Sequence, residues 1–231
     1  MFIINSMIQS KVFTLRTDLL GYWALNTTTD SISSLSPSGG GTGTTVTSGG
    51  PPYSSGASLF NGTSNYLYYN TPNNFKNLQS FSVSCWVYLN TVSGARTFFE
   101  IWGSPNSTYN GFLFRMNGST IQVVIGTGNS FLVLDSASTL STGTWTNVVF
   151  THDLQKTILY VNGAKNAEMN STQKVAWDNV LTVIAANFVS GYVDYYSGWM
   201  AHLGYWGRVL TPSEISYLYT KASSLRYYPF Y

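Results

Sequence analysis

The feature that most constrains the fold is an alternation of apolar and polar residues along short segments. In residues 81–89 every odd position is apolar, and Ser82 and Ser84 occupy even positions. Because successive side chains of a β-strand point to opposite faces, this pattern predicts a strand with one face in a core. Similar segments recur roughly every 8 to 15 residues with almost no helical periodicity. The sequence therefore predicts an all-β domain.

Residues that form tight turns separate the predicted strands. Asn117–Gly118 and Asn162–Gly163 each provide the positive-φ pair that a two-residue hairpin favours. The other predicted strands are 112–116, 121–125, 131–134, 147–151, 158–161, 180–186 and 202–208. Such a series of short strands and hairpins is typical of a β-sandwich.

One helix is predicted, close to the C-terminal end. Thr211 stands at its N-cap, Pro212 at its first position and Glu214 at its third, which together form a capping box. Ile215 and Leu218 then follow at helical spacing. This short helix closes the predicted domain.

The domain boundaries follow from composition. Residues 1–18 are predicted to form an N-terminal arm, and residues 19–220 the sandwich. Within the sandwich, residues 33–56 are rich in Gly, Ser and Pro and are predicted to form a flexible surface loop. Residues 221–231 form a tail that is unusually aromatic.

The low charge of the chain excludes several classes of partner. Charged residues make up 9% of the sequence and the net charge is +2, without any cluster of Lys and Arg, so no nucleic-acid partner is expected. No apolar run reaches the roughly 18 residues of a membrane span, so no membrane insertion is expected. The N-terminal residues show no recognisable signal peptide.

The one cysteine, Cys85, lies in an apolar strand and is predicted to be buried.

Five segments, in order, resemble those of a laminin-G-like jelly roll of the concanavalin A-like lectin/glucanase family. They are residues 20–26, 57–67, 80–89, 145–163 and 198–219. The resemblance covers about residues 19–220. It implies an antiparallel jelly-roll β-sandwich with one short C-terminal helix.

The resemblance also bears on cofactors. Relatives often carry an acidic residue in the closing strand that helps to bind calcium, whereas Ala201 followed by His202 stands at the matching place here. Calcium takes six to eight oxygen ligands, and Asp194 is isolated from other acids in the sequence. Calcium is therefore disfavoured, and no other cofactor or metal is expected.

Catalysis is not expected either. Glycosidases of similar fold need two carboxylates about 5 to 9 Å apart, often from alternate positions of one strand. The nine acidic residues are scattered, and no two stand two or four positions apart. His152 and His202 are the available bases for a hydrolase triad, but no Gly-X-Ser-X-Gly motif accompanies them. Both are predicted to be hydrogen-bonded strand or turn histidines.

Aromatic residues are the candidate binding groups. Sugar rings stack their C–H faces on Trp and Tyr, and their hydroxyls pair with Asn, Asp and Gln. Two loops have this composition, and they supply the candidate residues Trp102, Tyr109, Tyr192, Asp194, Tyr195, Tyr196 and Trp199. The alternative is that these rings cap the core or pack against another subunit, and the sequence leaves both interpretations open.

Two non-catalytic functions fit these features. The first is a structural or attachment protein of a virus or phage particle, of the capsid or tail decoration type. Its arm and tail would then dock onto other protein subunits, with Tyr227, Tyr228, Phe230 and Tyr231 as tail contacts. The second is a carbohydrate-binding module of a surface or secreted protein, with glycans as partners. The first places the chain in a virion and the second on an extracellular surface.

Overall fold

The computed structural model describes residues 15–40, 44–46, 50–51, 56–103, 108–189 and 191–221. In chain order the strands are β1 (Leu19–Trp23), β2 (Thr44–Val46), β3 (Ala57–Asn61), β4 (Leu67–Tyr69), β5 (Phe81–Leu89), β6 (Ala95–Gly103), β7 (Tyr109–Asn117), β8 (Thr120–Gly128), β9 (Phe131–Thr139), β10 (Trp145–His152), β11 (Lys156–Val161), β12 (Ala164–Asn170), β13 (Leu181–Ile184), β14 (Asn187–Phe188), β15 (Tyr192–Val193) and β16 (Ser197–Trp206). A 3-10 turn spans Asn73–Phe75, and helix α1 spans Pro212–Lys221.

The strands form two antiparallel sheets. Sheet A has eight strands in the order β12-β11-β10-β5-β16-β3-β2, and β1 pairs with the far end of β16. Sheet B has six strands in the order β4-β13-β6-β7-β8-β9. Strands β14 and β15 form a separate two-stranded hairpin. The predicted antiparallel sandwich with one short C-terminal helix is confirmed.

Alternation along the strands builds the core between the sheets. In β5, Val83, Cys85 and Val87 are fully buried and belong to the cluster that the two sheets enclose. From sheet B, Phe112 stacks on Phe81 with their ring centroids 5.0 Å apart. Burial raises the pKa of the Cys85 thiol above its usual range, so this side chain serves as a small apolar core residue.

The other face of sheet A is covered as well. Trp86 of β5 belongs to a second buried cluster, which includes Ile215 and Leu218 of α1. The capping box holds the start of this helix: the Glu214 N–H donates to Thr211 Oγ1 at 3.3 Å, and the Thr211 N–H donates to Glu214 Oε2 at 2.8 Å. Burial raises the pKa of Glu214, but its hydrogen bonds with Arg208 and Thr211 outweigh burial and hold that pKa below its usual value. Sheet A therefore buries apolar side chains on both faces.

Two segments differ from the sequence-based expectations. The predicted loop 33–56 contains strand β2, which pairs with β3, and Gly39 forms a bridge to Tyr68. At the end of the predicted arm, Leu15 is buried, and its carbonyl accepts a hydrogen bond from Trp206 Nε1 at 2.7 Å. The tail residues Tyr227, Tyr228, Phe230 and Tyr231 and residues 1–14 lie outside the described residues.

Within the described ranges, no helix has the length and apolar character that crossing a bilayer requires.

Candidate functional site

The outer face of sheet B carries a groove. Alternation along β7 directs Phe112 and Phe114 into the core, while Tyr109, Leu113 and Arg115 lie on the opposite face. The groove has a volume of about 350 Å³, which is within the usual range for small-molecule sites. It is lined by Trp102, Tyr109, Leu113, Arg115, Asn117, Gln122, Val124, Phe131, Val133, Asn187 and Val189.

The floor of the groove is apolar. Trp102, Leu113 and Val124 form a buried cluster on which Tyr109 packs. Phe131 meets Tyr109 edge to face, with their ring centroids 4.9 Å apart. Because aromatic and aliphatic carbon covers the floor, a bound molecule would need an apolar face of its own.

The edges of the groove expose large apolar side chains. Phe131 is 44% exposed and Val133 39% exposed on β9, and Val189 is 47% exposed on the hairpin side. Val193 of the same hairpin is 44% exposed. An exposed apolar patch beside a lined groove marks a place where a ligand or a partner binds.

A polar network crosses the groove. Arg115 Nη1 lies 3.3 Å from Asp194 Oδ2, and Arg115 Nε donates to Gln122 Oε1 at 2.9 Å. Gln122 Nε2 donates in turn to Asp135 Oδ1 at 2.9 Å. These bonds hold Arg115 and Gln122 in one orientation, which is what a selective polar contact requires.

Hairpin β14–β15 forms one side of the groove. The Phe188 N–H donates to Oε1 of the buried Glu100 at 2.9 Å, and the Thr97 N–H donates to the Asp194 carbonyl at 2.9 Å. Asn187, at the base of the hairpin, is 4% exposed, and its Oδ1 accepts no hydrogen bond from the described residues. Asn187 therefore belongs to the groove lining, while its Oδ1 is itself buried without a partner among the described residues.

The structure divides the predicted site residues among different places. Trp102 and Tyr109 line the groove, and Asp194 pairs with Arg115 beside it. Tyr192 and Tyr195 lie against Tyr66, with a Tyr66–Tyr192 centroid distance of 3.8 Å. They therefore help to anchor the hairpin.

Two predicted site residues lie elsewhere. Trp199 is half-buried on the outer face of sheet A, within the cluster that α1 covers. Tyr196 is fully buried in the core, and its hydroxyl donates to the carbonyls of Tyr88 and Trp199. A ring without exposed surface cannot stack on a sugar, so Tyr196 is corrected from a binding residue to a core residue.

Sequence reasoning missed most of the groove lining. Residues 131–134 were predicted as a strand, but their unbroken apolar run does not tell which residues point outward, and in the structure Phe131 and Val133 do. Arg115 and Gln122 gave one usable signal, because each is a polar residue at an alternate position of an otherwise apolar strand. Asn187 gave none, because its burial depends on the hairpin.

A second cavity of about 390 Å³ lies near the ends of β7 and β8. It is lined by Thr108, Asn110, Gly128, Asn129, Ala176, Asp178 and Asn179. In the described part of the chain, no three His, Cys, Asp or Glu side chains converge as metal ligands do. That calcium is disfavoured stays a prediction from the sequence.

Comparisons with known proteins agree with this fold. A laminin G family model, described as the concanavalin A-like lectin/glucanases superfamily, matches residues 61–216. No curated protein sequence matches the chain significantly.

Several solved structures are similar in fold. Domain 4 of the extracellular GH43 arabinanase AbnA from Geobacillus stearothermophilus, in complex with arabinotriose, is 18% identical with a TM-score of 0.68, over 88% of this chain and 98% of that one. The Ruminococcus gnavus IT-sialidase CBM40 bound to α2,3-sialyllactose is 12% identical with a TM-score of 0.58, over 70% and 95%. The botulinum neurotoxin serotype G binding domain is 15% identical with a TM-score of 0.65, over 89% and 51%.

Proposed function

This chain belongs to the concanavalin A-like lectin/glucanases superfamily, and from that premise we propose that it is a non-catalytic carbohydrate-binding module. The glycan would lie in the groove on the outer face of sheet B. The observation that carries the proposal is the exposed Phe131 ring beside Tyr109 and Trp102, in a groove that also presents oriented polar groups.

The chemistry of the groove suits a sugar. Sugar rings have C–H faces that pack on aromatic rings, and they have hydroxyls that both donate and accept hydrogen bonds. Asn117, Gln122 and Asn187 provide amide partners close to the apolar floor. Two structural neighbours, the arabinanase domain and the sialidase CBM40, hold arabinotriose and sialyllactose in their own structures, which supports the proposal.

We also propose that the chain acts at an extracellular surface, as the neighbouring arabinanase is described as extracellular. The hypothesis of a virus or phage particle protein depends on the arm and on the aromatic tail. Residues 1–14 and 222–231 lie outside the described residues, and no comparison supports a virion role. Docking to other protein subunits accordingly stays a prediction from the sequence.

The test is a glycan array with the full chain, followed by calorimetric titration of the best ligand with the wild type and with Phe131→Ala. Loss of the ring should weaken binding about two- to twelvefold, since an aromatic contact contributes about 0.5 to 1.5 kcal/mol. Because Phe131 is 44% exposed, the melting temperature should change little.

Leu154→Ala is the matched control. Leu154 is 38% exposed and lies in the turn between β10 and β11, away from the groove, so this variant should bind within about twofold of the wild type. Equal affinity of Phe131→Ala and the wild type would remove the groove from the proposal. An array without binding at about 1 mM glycan would reject carbohydrate binding itself.

A further inference from the structure

We infer that the groove selects neutral glycans and discriminates against glycans that carry a carboxylate or a sulfate. This inference rests on the proposed function and concerns the same groove. It follows from the charged side chains at the groove and from its apolar floor.

The positive charge in the groove is already paired. Arg115 is the one charged side chain among the described lining residues, and its Nη1 lies 3.3 Å from Asp194 Oδ2. Its Nε is engaged by Gln122, which also donates to the exposed Asp135. The network thus contains one positive and two negative side chains. An acidic glycan would meet an Arg115 charge that Asp194 already offsets and would approach the carboxylates of Asp194 and Asp135, whereas a neutral glycan has no charge for them to repel.

The apolar floor of the groove also favours an uncharged ligand. Trp102, Leu113 and Val124 form a water-excluding surface, and Phe131 and Val133 border it. Removing an anion from water onto such a surface is unfavourable, while the C–H face of a neutral sugar fits it. The ligand class is therefore a neutral oligosaccharide with an apolar ring face.

The experiment is an array that presents neutral oligosaccharides beside their sialylated, sulfated and uronate counterparts. The neutral members should bind about tenfold more tightly, and raising NaCl from about 50 mM to 500 mM should change their affinity less than about twofold. Tighter binding of the acidic members would overturn the selectivity and leave carbohydrate binding intact. If no glycan bound and the chain instead associated with itself in a way that Phe131→Ala abolished, the groove would be the contact between two copies of the chain. That result would overturn both proposals.

Asp194→Asn tests the charge argument directly. Asp194 has φ of 51°, a conformation that Asn tolerates well, so the backbone should be kept. With Arg115 released from its counter-charge, the ratio of neutral to acidic affinity should fall about tenfold. Asp153→Asn is the control, since it removes one negative charge from a turn of sheet A and should leave the ratio unaltered. Equal ratios in Asp194→Asn and the control would refute the role of Asp194.

Discussion

At the scale of single residues, Glu100 shows how the hairpin beside the groove is attached. The carboxyl group is fully buried, its Oε1 accepts the Phe188 N–H at 2.9 Å, and its Oε2 has no hydrogen bond from the described residues. Burial raises the pKa of Glu100 well above its usual value, because one N–H cannot replace the water that an ionised carboxylate loses. Arg115 opposes this effect and Asp194 adds to it.

The raised pKa of Glu100 predicts a pH dependence of stability. The protonated Glu100 carboxyl is favoured in the folded chain, where its pKa is higher than in the unfolded chain. Its contribution to the free energy of unfolding is therefore complete below the ordinary pKa of 4.5 and is lost as pH rises through the higher folded-state pKa. Glu100→Gln cannot ionise, so its free energy of unfolding should gain on the wild type as pH increases. Urea denaturation at about pH 4.5, 6 and 7.5 measures the difference.

Glu168→Gln is the control for this prediction. Hydrogen bonding to Lys165 holds the pKa of the exposed Glu168 below its usual value, so its neutralisation should bring no gain with rising pH. If the free energies of unfolding of Glu100→Gln and the wild type changed in parallel with pH, ionisation of Glu100 would not destabilise the fold.

At the scale of elements, the pairing of β6 with β7 under the groove depends on Gly111. Its φ is 80°, and a Cβ at this position would lie 1.8 Å from the Ile101 carbonyl oxygen. Its N–H donates to the Ala176 carbonyl at 2.6 Å, outside the ladder. Trp102 stands opposite Gly111 in the register, so this close approach supports the floor of the groove.

Gly111→Ala should therefore destabilise the chain by about 3 kcal/mol or more, from backbone strain together with the clash. Gly118→Ala is a matched control at the end of the same strand, because φ there is 63° and no atom lies within 4 Å of the added Cβ. It should cost about 1 kcal/mol. Denaturation midpoints compare the two variants, and equal losses would show that positive φ alone decides the effect.

Elements set by local chemistry were predictable from the sequence. The Asn162–Gly163 hairpin is confirmed, with both residues at positive φ, as is the helix that starts after Thr211. The hairpin between β7 and β8 is also present, but Asn117 ends β7 and pairs with Thr120, so the turn residues are Gly118 and Ser119 and not the predicted Asn117–Gly118 pair. Each depends on two to four neighbouring residues whose conformational preferences agree with the tertiary fold.

The groove was less predictable, because assigning faces requires knowledge of what covers each sheet. Sheet A is covered on both faces, so two residues with different surroundings look alike in sequence: Tyr196, just before β16, lies in the core between the sheets, and Trp199 of β16 packs against the outer cluster. The apolar run that begins at Phe131 contains no polar residue to mark its outer face. Asn187 joins the lining through the packing of a hairpin that pairs with neither main sheet.

At the scale of the whole molecule, the two histidines are enclosed in sheet A. His152 Nδ1 lies 2.8 Å from Thr157 Oγ1, and His202 Nδ1 lies 2.6 Å from Tyr22 Oη. Burial lowers the pKa of His152 and of His202 to about 4, because the low-dielectric interior disfavours the imidazolium. Both are therefore held neutral within the fold.

These two pKa values predict that acid weakens the whole sandwich. In the unfolded chain each histidine takes up a proton at its ordinary pKa of 6.5, whereas in the folded chain it does so only near pH 4. The contribution of each neutral histidine to the free energy of unfolding is therefore complete above pH 6.5 and is lost as pH falls. Between about pH 7.5 and 5 each histidine should remove about 2 kcal/mol from the free energy of unfolding. The measurement belongs in the Glu100→Gln background, since ionisation of Glu100 has the opposite sign. Adding His202→Asn, which suits the φ of 52° at that position, should halve the pH dependence, and an unchanged slope would exclude His202 as its source.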